Sequence, residues 1–171
     1  MKNLENILNK IQSAEKTLFI LCGYPYSGKT YIAKQIINSL KNIEYVSIDD
    51  IFYIHGFDWS TNHLPTQIEW GEIFNESYTN TTKALVEGKN VLYDSTNQTV
   101  ESRDELRAIA KSVCASAYVI YIETEQKLVW KRWEENLKQN SRSIVNRKLV
   151  QMTIDMFEKP TEEESILLIK N

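Results

Sequence analysis

Short apolar runs along this chain alternate with stretches of amphipathic, helix-like periodicity. The apolar runs predict buried β-strands at residues 18–22, 43–48, 90–94, 118–122 and 165–169. Apolar residues at helical spacing predict helices at residues 3–14, 31–40, 65–87, 100–113, 126–138 and 145–157. Strands that alternate with helices predict an α/β fold, with about five parallel strands covered by helices on both faces.

One stretch fits neither pattern. Residues 51–64 are rich in aromatic and histidine side chains and carry Gly56 among them, so we expect an irregular segment. Its aromatic rings could stack on a base or sugar, or they could be core beneath a loop. The sequence leaves these two alternatives open.

The junction after the first strand carries a specific motif. Residues 23–30 read Gly-Tyr-Pro-Tyr-Ser-Gly-Lys-Thr, which fits the phosphate-binding loop pattern of glycine, four residues, then Gly-Lys-Ser/Thr. A predicted strand precedes it and a predicted helix follows it, as that loop requires. A strand–turn–helix junction that matches by chance is the alternative.

The motif, hereafter the phosphate loop, suits a polyanion. Backbone N–H groups at a helix start, with the positive end of the helix dipole, attract phosphate. Lys29 can reach the β- and γ-phosphates, and the Thr30 hydroxyl can ligate Mg²⁺. We therefore expect ATP, with GTP not excluded, and Mg²⁺. The predicted nucleotide contacts are Gly23, Tyr24, Pro25, Tyr26, Ser27, Gly28, Lys29, Thr30, Tyr31 and Arg132.

Carboxylates follow two other predicted strands. Asp49 and Asp50 come after the second strand, where a carboxylate can orient a hydroxyl and accept its proton. We prefer Asp49 as this base, although either residue could cap a turn or helix instead. Asp94 ends the third strand, the Walker-B position, and is a predicted Mg²⁺ ligand; its alternative role is to cap the turn that follows.

Arginines near the carboxyl-terminal third are candidates for phosphate contact. Arg142 lies between two predicted helices and could spread its donors across the migrating phosphoryl group. Arg132 could contact phosphate or stack on adenine. Arg147 is a weaker candidate, and solvated surface positions are the alternative for all three.

Composition limits the remaining possibilities. The chain has 171 residues and a net charge of −3, so we expect one domain without a global attraction to nucleic acid, although a local basic groove stays possible. Apolar runs of about five residues fall far short of the ~20 that a membrane helix needs. No secretory stretch is recognisable at the start, and both cysteines should be reduced core residues. A cytoplasmic protein without membrane contact is expected.

These motifs together resemble the small P-loop kinases that include polynucleotide kinase and the zeta-toxin kinases. The resemblance rests on residues 23–30, 47–50, 94–97 and the tail 142–164 with its Phe-Glu-Lys-Pro sequence. It implies a three-layer P-loop NTPase fold over residues 1–171, with a leading helix at 1–16, an acceptor-binding region at 51–88 and a lid at 138–146. It also implies that Asp49 activates the acceptor and that Arg142 is the lid arginine.

Two features depart from that family. Tyr26 replaces a glycine often found before the loop serine, and no basic residue follows the aspartate pair. The second departure argues against a 3′-phosphorylated nucleic-acid acceptor and favours a smaller or less charged molecule. Asp50, Tyr53 and His55 are the predicted acceptor contacts.

The sequence therefore predicts an ATP- and Mg²⁺-dependent kinase that phosphorylates an unidentified hydroxyl acceptor. Lys29, Asp49 and Arg142 are the predicted catalytic residues. Two alternatives remain open: a nucleotide-binding switch that hydrolyses ATP without an acceptor, and a kinase for the 5′-hydroxyl ends of nucleic acids.

Overall fold

A computed structural model describes residues 2–61, 63–139 and 143–171. The strands are β1 (Thr17–Cys22), β2 (Ile43–Ser47), β3 (Asn90–Asp94), β4 (Ser116–Glu123) and β5 (Ile166–Lys170). The helices are α1 (Lys2–Gln12), α2 (Lys29–Ser39), α3 (Ile48–Ile54), α4 (Gln67–Val86), α5 (Val100–Ser112), α6 (Gln126–Gln139) and α7 (Arg147–Asp155). A short 3₁₀ turn, Glu162–Glu164, precedes β5.

All five strands pair in parallel, in the order β2-β3-β1-β4-β5. Helices α1 and α2 pack on one face of the sheet, and α3, α4 and α5 pack on the other. The predicted α/β three-layer fold with helices on both faces is therefore confirmed. No helix within the described ranges is long and apolar enough to cross a membrane.

The strand order places the phosphate loop at the middle of the sheet. Strand β1 is central and its six residues are all buried, and the loop leaves its carboxyl end. Strands β2 and β3 end in Ser47 and Asp94, which are direct neighbours in register. Carboxyl ends of parallel strands share one edge of a sheet, so the polar residues that follow these strands meet there.

Helix α3 was not predicted. It begins directly after β2, because the Ser47 hydroxyl accepts a hydrogen bond from the Asp50 backbone N–H (3.1 Å) and caps its first turn. Ile51 and Phe52 point into the core. The irregular segment expected from residue 51 onward therefore starts later than predicted, after Ile54.

The capping box of α5 pairs Thr99 with Ser102, whose backbone and side-chain groups exchange hydrogen bonds. One smaller expectation was wrong. Of the two cysteines, Cys22 is a buried core residue, but Cys114 is exposed. Cys114 follows the end of α5 with a φ of 55°, outside the packed layers.

A buried ion pair fastens the chain behind the phosphate loop. The Arg103 guanidinium on α5 donates to both carboxylate oxygens of Glu164, at 2.5 and 3.1 Å, and its side chain is fully buried. Arg103 also donates to the Asn97 carbonyl (2.9 Å). The Asn97 side chain in turn donates to the Leu21 carbonyl in β1 (2.6 Å). The pair thereby connects α5 and the segment before β5 to the strand that carries the loop.

Removing one partner of this pair should destabilise the fold. We expect Arg103→Met to lower the free energy of unfolding by about 3–5 kcal/mol, because it leaves a buried carboxylate without its partner. The matched control is Arg107→Met on the same helix, whose pair with Asp104 is partly exposed and should contribute about 0–1 kcal/mol. Urea unfolding measures both, and equal losses would contradict this account of the pair.

Acidification should weaken the same pair. Burial opposes ionisation of Glu164, but hydrogen bonds from Arg103 and the Thr161 N–H outweigh it and hold its pKa below the ordinary 4.5. The stabilisation is therefore present above pH 4.5 and is lost as the pH falls through the folded-state pKa. Denaturant unfolding from pH 7 to 3 should show a smaller acid loss in Arg103→Met than in the wild type.

Candidate active site

Glycine geometry sets the entrance and exit of the phosphate loop. Gly28 lies immediately before α2 with a φ of 101°, a left-handed conformation that side chains disfavour. At Gly23, an added Cβ would lie 2.9 Å from both the Ile122 carbonyl oxygen and the Ser27 hydroxyl. The loop therefore closes tightly against β4 and turns directly into the helix.

The Ser27 carbonyl is tied to groups outside the loop. It accepts hydrogen bonds from Asn171 Nδ2 (2.7 Å), Arg132 Nη1 (2.9 Å) and Thr124 Oγ1 (3.3 Å). These donors come from the end of the chain, from α6 and from the residue after β4. Because the peptide oxygen is held on the protein side, the loop is fixed in one orientation relative to α2.

Lys29 folds back over the loop. Its ammonium group donates to the carbonyls of Gly23 (2.9 Å) and Tyr24 (2.8 Å), and the residue is only 8% exposed. The Lys29 ammonium group therefore places a positive charge beside the phosphate loop at the N-terminus of α2. Its flexible four-carbon stem allows it to exchange these carbonyls for phosphate oxygens.

Thr30 and Asp94 meet across the sheet edge. The Thr30 hydroxyl donates to Asp94 Oδ2 (3.1 Å), and the same oxygen accepts a shorter bond from the Tyr45 phenol (2.7 Å). Thr30 lies in the first turn of α2, Asp94 ends β3, and Tyr45 lies on the edge strand β2. The predicted pair of metal ligands is therefore close together.

Burial raises the pKa of Asp94 above its ordinary value, although Lys29 and the hydrogen bonds from Tyr45 and Thr30 act in the opposite direction. The negative charge of Asp49 contributes to the increase, so the two carboxylates lie within electrostatic range of each other. A buried carboxylate that is costly to ionise gains from a nearby cation.

The oxygens of Thr30 and Asp94 fit Mg²⁺, a hard cation that prefers hydroxyl, carboxylate and phosphate oxygens and keeps several waters. Within the described ranges, no group of three or more His, Cys, Asp or Glu side chains could hold a metal ion.

Asp49 and Asp50 diverge in the first turn of α3. Asp49 is exposed, and its Oδ1 accepts a hydrogen bond from Trp59 Nε1 (3.2 Å). Asp50 instead lines a groove of about 460 Å³ beside β2, α3 and α4, together with Glu76 and Lys83. The two adjacent aspartates thus serve different surfaces, and Asp49 lies on the side of Asp94.

The aromatic side chains of residues 51–64 differ in burial. Phe52 is fully buried and stacks on Trp59, with ring centroids 4.5 Å apart, and on Trp70 at 5.5 Å. Both tryptophans are only partly buried. Phe52 is therefore a core residue, whereas Trp59, which contacts Asp49, keeps part of its surface exposed.

The other predicted acceptor contacts lie on the outer side of α3. Tyr53 is 41% exposed, and His55 Nε2 lies 2.8 Å from the Glu76 carboxylate. Since Glu76 also lines the groove with Asp50, Asp50 and His55 share this outer surface. They are separate from the contact between Asp49 and Trp59.

The arginines take different places. Arg132 donates to the Tyr26 and Ser27 carbonyls and so touches the phosphate loop. The Arg147 guanidinium lies over the Trp130 ring, 4.8 Å from its centroid, and packs there. Arg142, the predicted lid arginine, lies outside the described residues.

The remaining predicted loop contacts differ in exposure. The Tyr24 ring packs against Phe157, 4.6 Å away, and Tyr26 is buried against α6 and α7. Pro25 is partly buried, whereas Tyr31 on α2 is 67% exposed.

Three residues at the site were not predicted. Thr124 directly follows β4, a position that the rule of polar residues at strand ends could have identified. Tyr45 reaches Asp94 only because β2 pairs with β3, and a single sequence does not state that pairing. Asn171 carries no recognisable motif.

Comparisons with known proteins agree with this geometry. The family model described as "Chromatin associated protein KTI12" matches residues 17–165. The structure of Chaetomium thermophilum Kti12 in complex with ADP-AlF3 is 18% identical, with a TM-score of 0.64 over 90% of this chain and 88% of that one.

Two further solved structures share the fold. A putative kinase from Chloroflexus aurantiacus is 14% identical, with a TM-score of 0.71 over 90% of this chain and 87% of that one. A chain of the Pnkp1/Rnl/Hen1 RNA repair complex is 19% identical, with a TM-score of 0.69 over 82% of this chain and 43% of that one. The resemblance to P-loop kinases of the polynucleotide kinase type is therefore confirmed at the level of the fold.

Neutralising Asp94 should stabilise the ligand-free protein. Its folded-state pKa lies above the ordinary 3.8. Ionisation of this carboxyl group therefore lowers the stability of the fold as the pH rises from 3.8 through the folded-state pKa. We expect Asp94→Asn to raise Tm at pH 7, by calorimetry without ligand, and to have less effect near pH 3.5. A lower Tm than the wild type at pH 7 would show that the ionised carboxylate stabilises the fold.

Proposed function

We propose that this chain, which belongs to the family of the chromatin associated protein KTI12, is a phosphotransferase. It would use ATP and Mg²⁺ and would act on a hydroxyl acceptor. One observation carries the proposal. Lys29, Thr30 and Asp94 converge at the start of α2, and the hydroxyl and carboxylate of the last two are 3.1 Å apart. Phosphate groups and a hard cation are the ligands that such a set of groups suits.

In this proposal, the phosphate loop holds the triphosphate. The α2 N-terminus and Lys29 neutralise the phosphate oxygens, with Arg132 fixing the loop backbone behind them. Thr30 and Asp94 would hold Mg²⁺, which when bound would supply positive charge to the phosphate groups. GTP fits the same description, since these groups suit phosphates and Mg²⁺, which ATP and GTP share.

Asp49 is the proposed general base. Its carboxylate is exposed, is held by the Trp59 indole N–H and lies within electrostatic range of Asp94. An oriented carboxylate near the proposed metal site can accept the proton of a hydroxyl group as that group attacks phosphorus. Residues 51–88 would supply the acceptor site and residues 138–146 the lid, with Arg142 as the lid arginine.

The aromatic surface beside Asp49 supports a proposal for the acceptor. Trp59 and Trp70 are partly exposed, and aromatic side chains bind flat bases or the apolar faces of sugars. We propose a small nucleoside-like or sugar-like acceptor. Cytoplasmic location remains part of the proposal, as does the single-domain organisation of residues 1–171.

Lys29→Met should abolish phosphoryl transfer. Loss of one preorganised charge stabiliser typically costs 10²–10³ in rate, or about 3–4 kcal/mol. The matched control is Lys34→Met, an exposed lysine on the same helix, which should retain wild-type turnover. Transfer of labelled γ-phosphate to a panel of nucleosides, sugars, nucleotide sugars, antibiotics and 5′-hydroxyl oligonucleotides measures the effect. Equal activity in both variants would exclude Lys29 from the chemistry.

Asp49→Asn should separate binding from chemistry. We expect MgATP affinity close to that of the wild type and turnover reduced about 10²–10⁴-fold, because a positioned base is lost. Asp50→Asn is the matched control, because Asp50 lines the groove beside β2, α3 and α4 and its loss should leave kcat close to that of the wild type. Comparable kcat in wild type and Asp49→Asn would remove the assignment of the base.

The same assay distinguishes the kinase from a switch that only hydrolyses ATP. A kinase transfers label to at least one acceptor in the panel, and the acceptor accelerates ADP formation. Phosphate release that no acceptor changes would identify a switch. Phosphorylation of oligonucleotides alone, with affinity that falls steeply with salt, would identify a nucleic-acid end kinase.

A further inference from the structure

We infer that Tyr26 is a positioning residue that couples the phosphate loop to residues 143–147, the segment that leads into α7. The inference rests on the proposed nucleotide site. It assigns to the tyrosine a role that the loop pattern does not require, since the residue before the loop serine has no fixed identity in that pattern.

The Tyr26 ring packs against residues of α6 and α7. It is 6% exposed, and it forms a separate hydrophobic cluster with Val129 and Trp133 of α6 and Val150 and Ile154 of α7. This cluster is distinct from the two that line the faces of the sheet. The phosphate loop therefore contributes one side chain to the cluster that joins α6 and α7.

The backbone of Tyr26 is also contacted by α6. Its φ of 61° is a left-handed conformation that a non-glycine residue rarely adopts. Arg132 Nη1 donates to its carbonyl at 3.1 Å and to the next carbonyl, that of Ser27, at 2.9 Å. Such a conformation persists only where the surroundings determine it, and here α6 contacts both the carbonyl and the ring of Tyr26.

Val145 is held between Tyr26 and α6. Its backbone N–H donates to the Tyr26 phenol oxygen (3.3 Å), and its carbonyl accepts from Trp133 Nε1 (2.9 Å). Two residues earlier, the Ser143 hydroxyl donates to Asp58 Oδ1 (3.2 Å) in the segment between α3 and α4. Contacts thus run from the loop through Val145 to the surface proposed for the acceptor.

Coupling follows from this arrangement. Phosphates that bind the loop would add contacts to its backbone, and so would hold the strained Tyr26 conformation, and with it the phenol group, for a larger share of the time. The Val145 amide then keeps its acceptor for a larger share of the time. By reciprocity, whatever holds residues 143–147 in place must raise the affinity of the loop for nucleotide by the same factor.

Amide hydrogen exchange with MgADP as the probe tests the coupling in the full chain. In the wild type, we expect MgADP to slow exchange of residues 143–147 by about fivefold or more, the lower range of measured couplings between sites. Tyr26→Phe removes the acceptor for the Val145 amide, and Tyr26→Ala removes the ring as well. Tyr118→Phe is the matched control, because it removes a phenol beside Phe19, on the face of the sheet that α1 and α2 cover.

The outcomes separate the inference from the proposed function. Loss of the MgADP effect on residues 143–147 in Tyr26→Ala, with a matching fall in affinity and retention in Tyr118→Phe, supports the inference. If the MgADP effect is also lost in Tyr26→Phe, the Tyr26 hydroxyl carries the coupling. If the effect is retained in Tyr26→Phe, the ring carries the coupling. MgADP binding to the wild type without slower exchange, or full slowing in both Tyr26 variants, overturns the inference alone. No calorimetric binding of MgADP to the wild type overturns the proposed function and the inference with it.

Discussion

The orientation of one peptide group determines much of this site. Three side chains, from Thr124, Arg132 and Asn171, donate to the Ser27 carbonyl, and Gly28 then turns into α2. A carbonyl that faced the loop's interior would repel phosphate, so anchoring it outward is a condition for anion binding. The three donors come from separate parts of the chain, and the loop is therefore complete only when α6 and β5 have packed.

Behind the loop, the buried pair of Arg103 and Glu164 supplies the rigidity. It joins α5 to the segment before β5, and through Asn97 it holds the end of β1. Buried ion pairs offer little net stability compared with apolar packing, but they allow few alternative arrangements. A loop that must present fixed donors to a charged ligand benefits from such a support.

Sequence periodicity predicted the sheet well because each strand carries a short apolar run. Strands β1 and β3 are buried throughout, whereas the edge strands β2 and β5 are partly exposed. Periodicity failed at Ile48–Ile54, where the helix is only seven residues long and its aromatic side chains favour strands or loops. The cap that starts it uses Ser47, a strand residue. Short elements that depend on tertiary packing leave little periodic signal.

At the site, the sequence identified the groups that lie in or directly after motifs, such as Lys29 and Asp94. It could not identify Tyr45, since that contact depends on which strands are neighbours. Nor could it predict that Tyr26 turns away from the loop, because a motif specifies spacing and leaves side-chain direction to packing. The divergence of Asp49 and Asp50 likewise depends on α3, a helix that the sequence did not predict.

The central claim is that the phosphate loop binds a triphosphate together with Mg²⁺. Isothermal titration of the nucleotide-free protein with MgATP tests it most directly. The account predicts one site per chain, with a dissociation constant between about 1 µM and 1 mM, the usual range for enzyme substrates, and much weaker binding when Mg²⁺ is chelated. An absence of binding with both MgATP and MgGTP would contradict it.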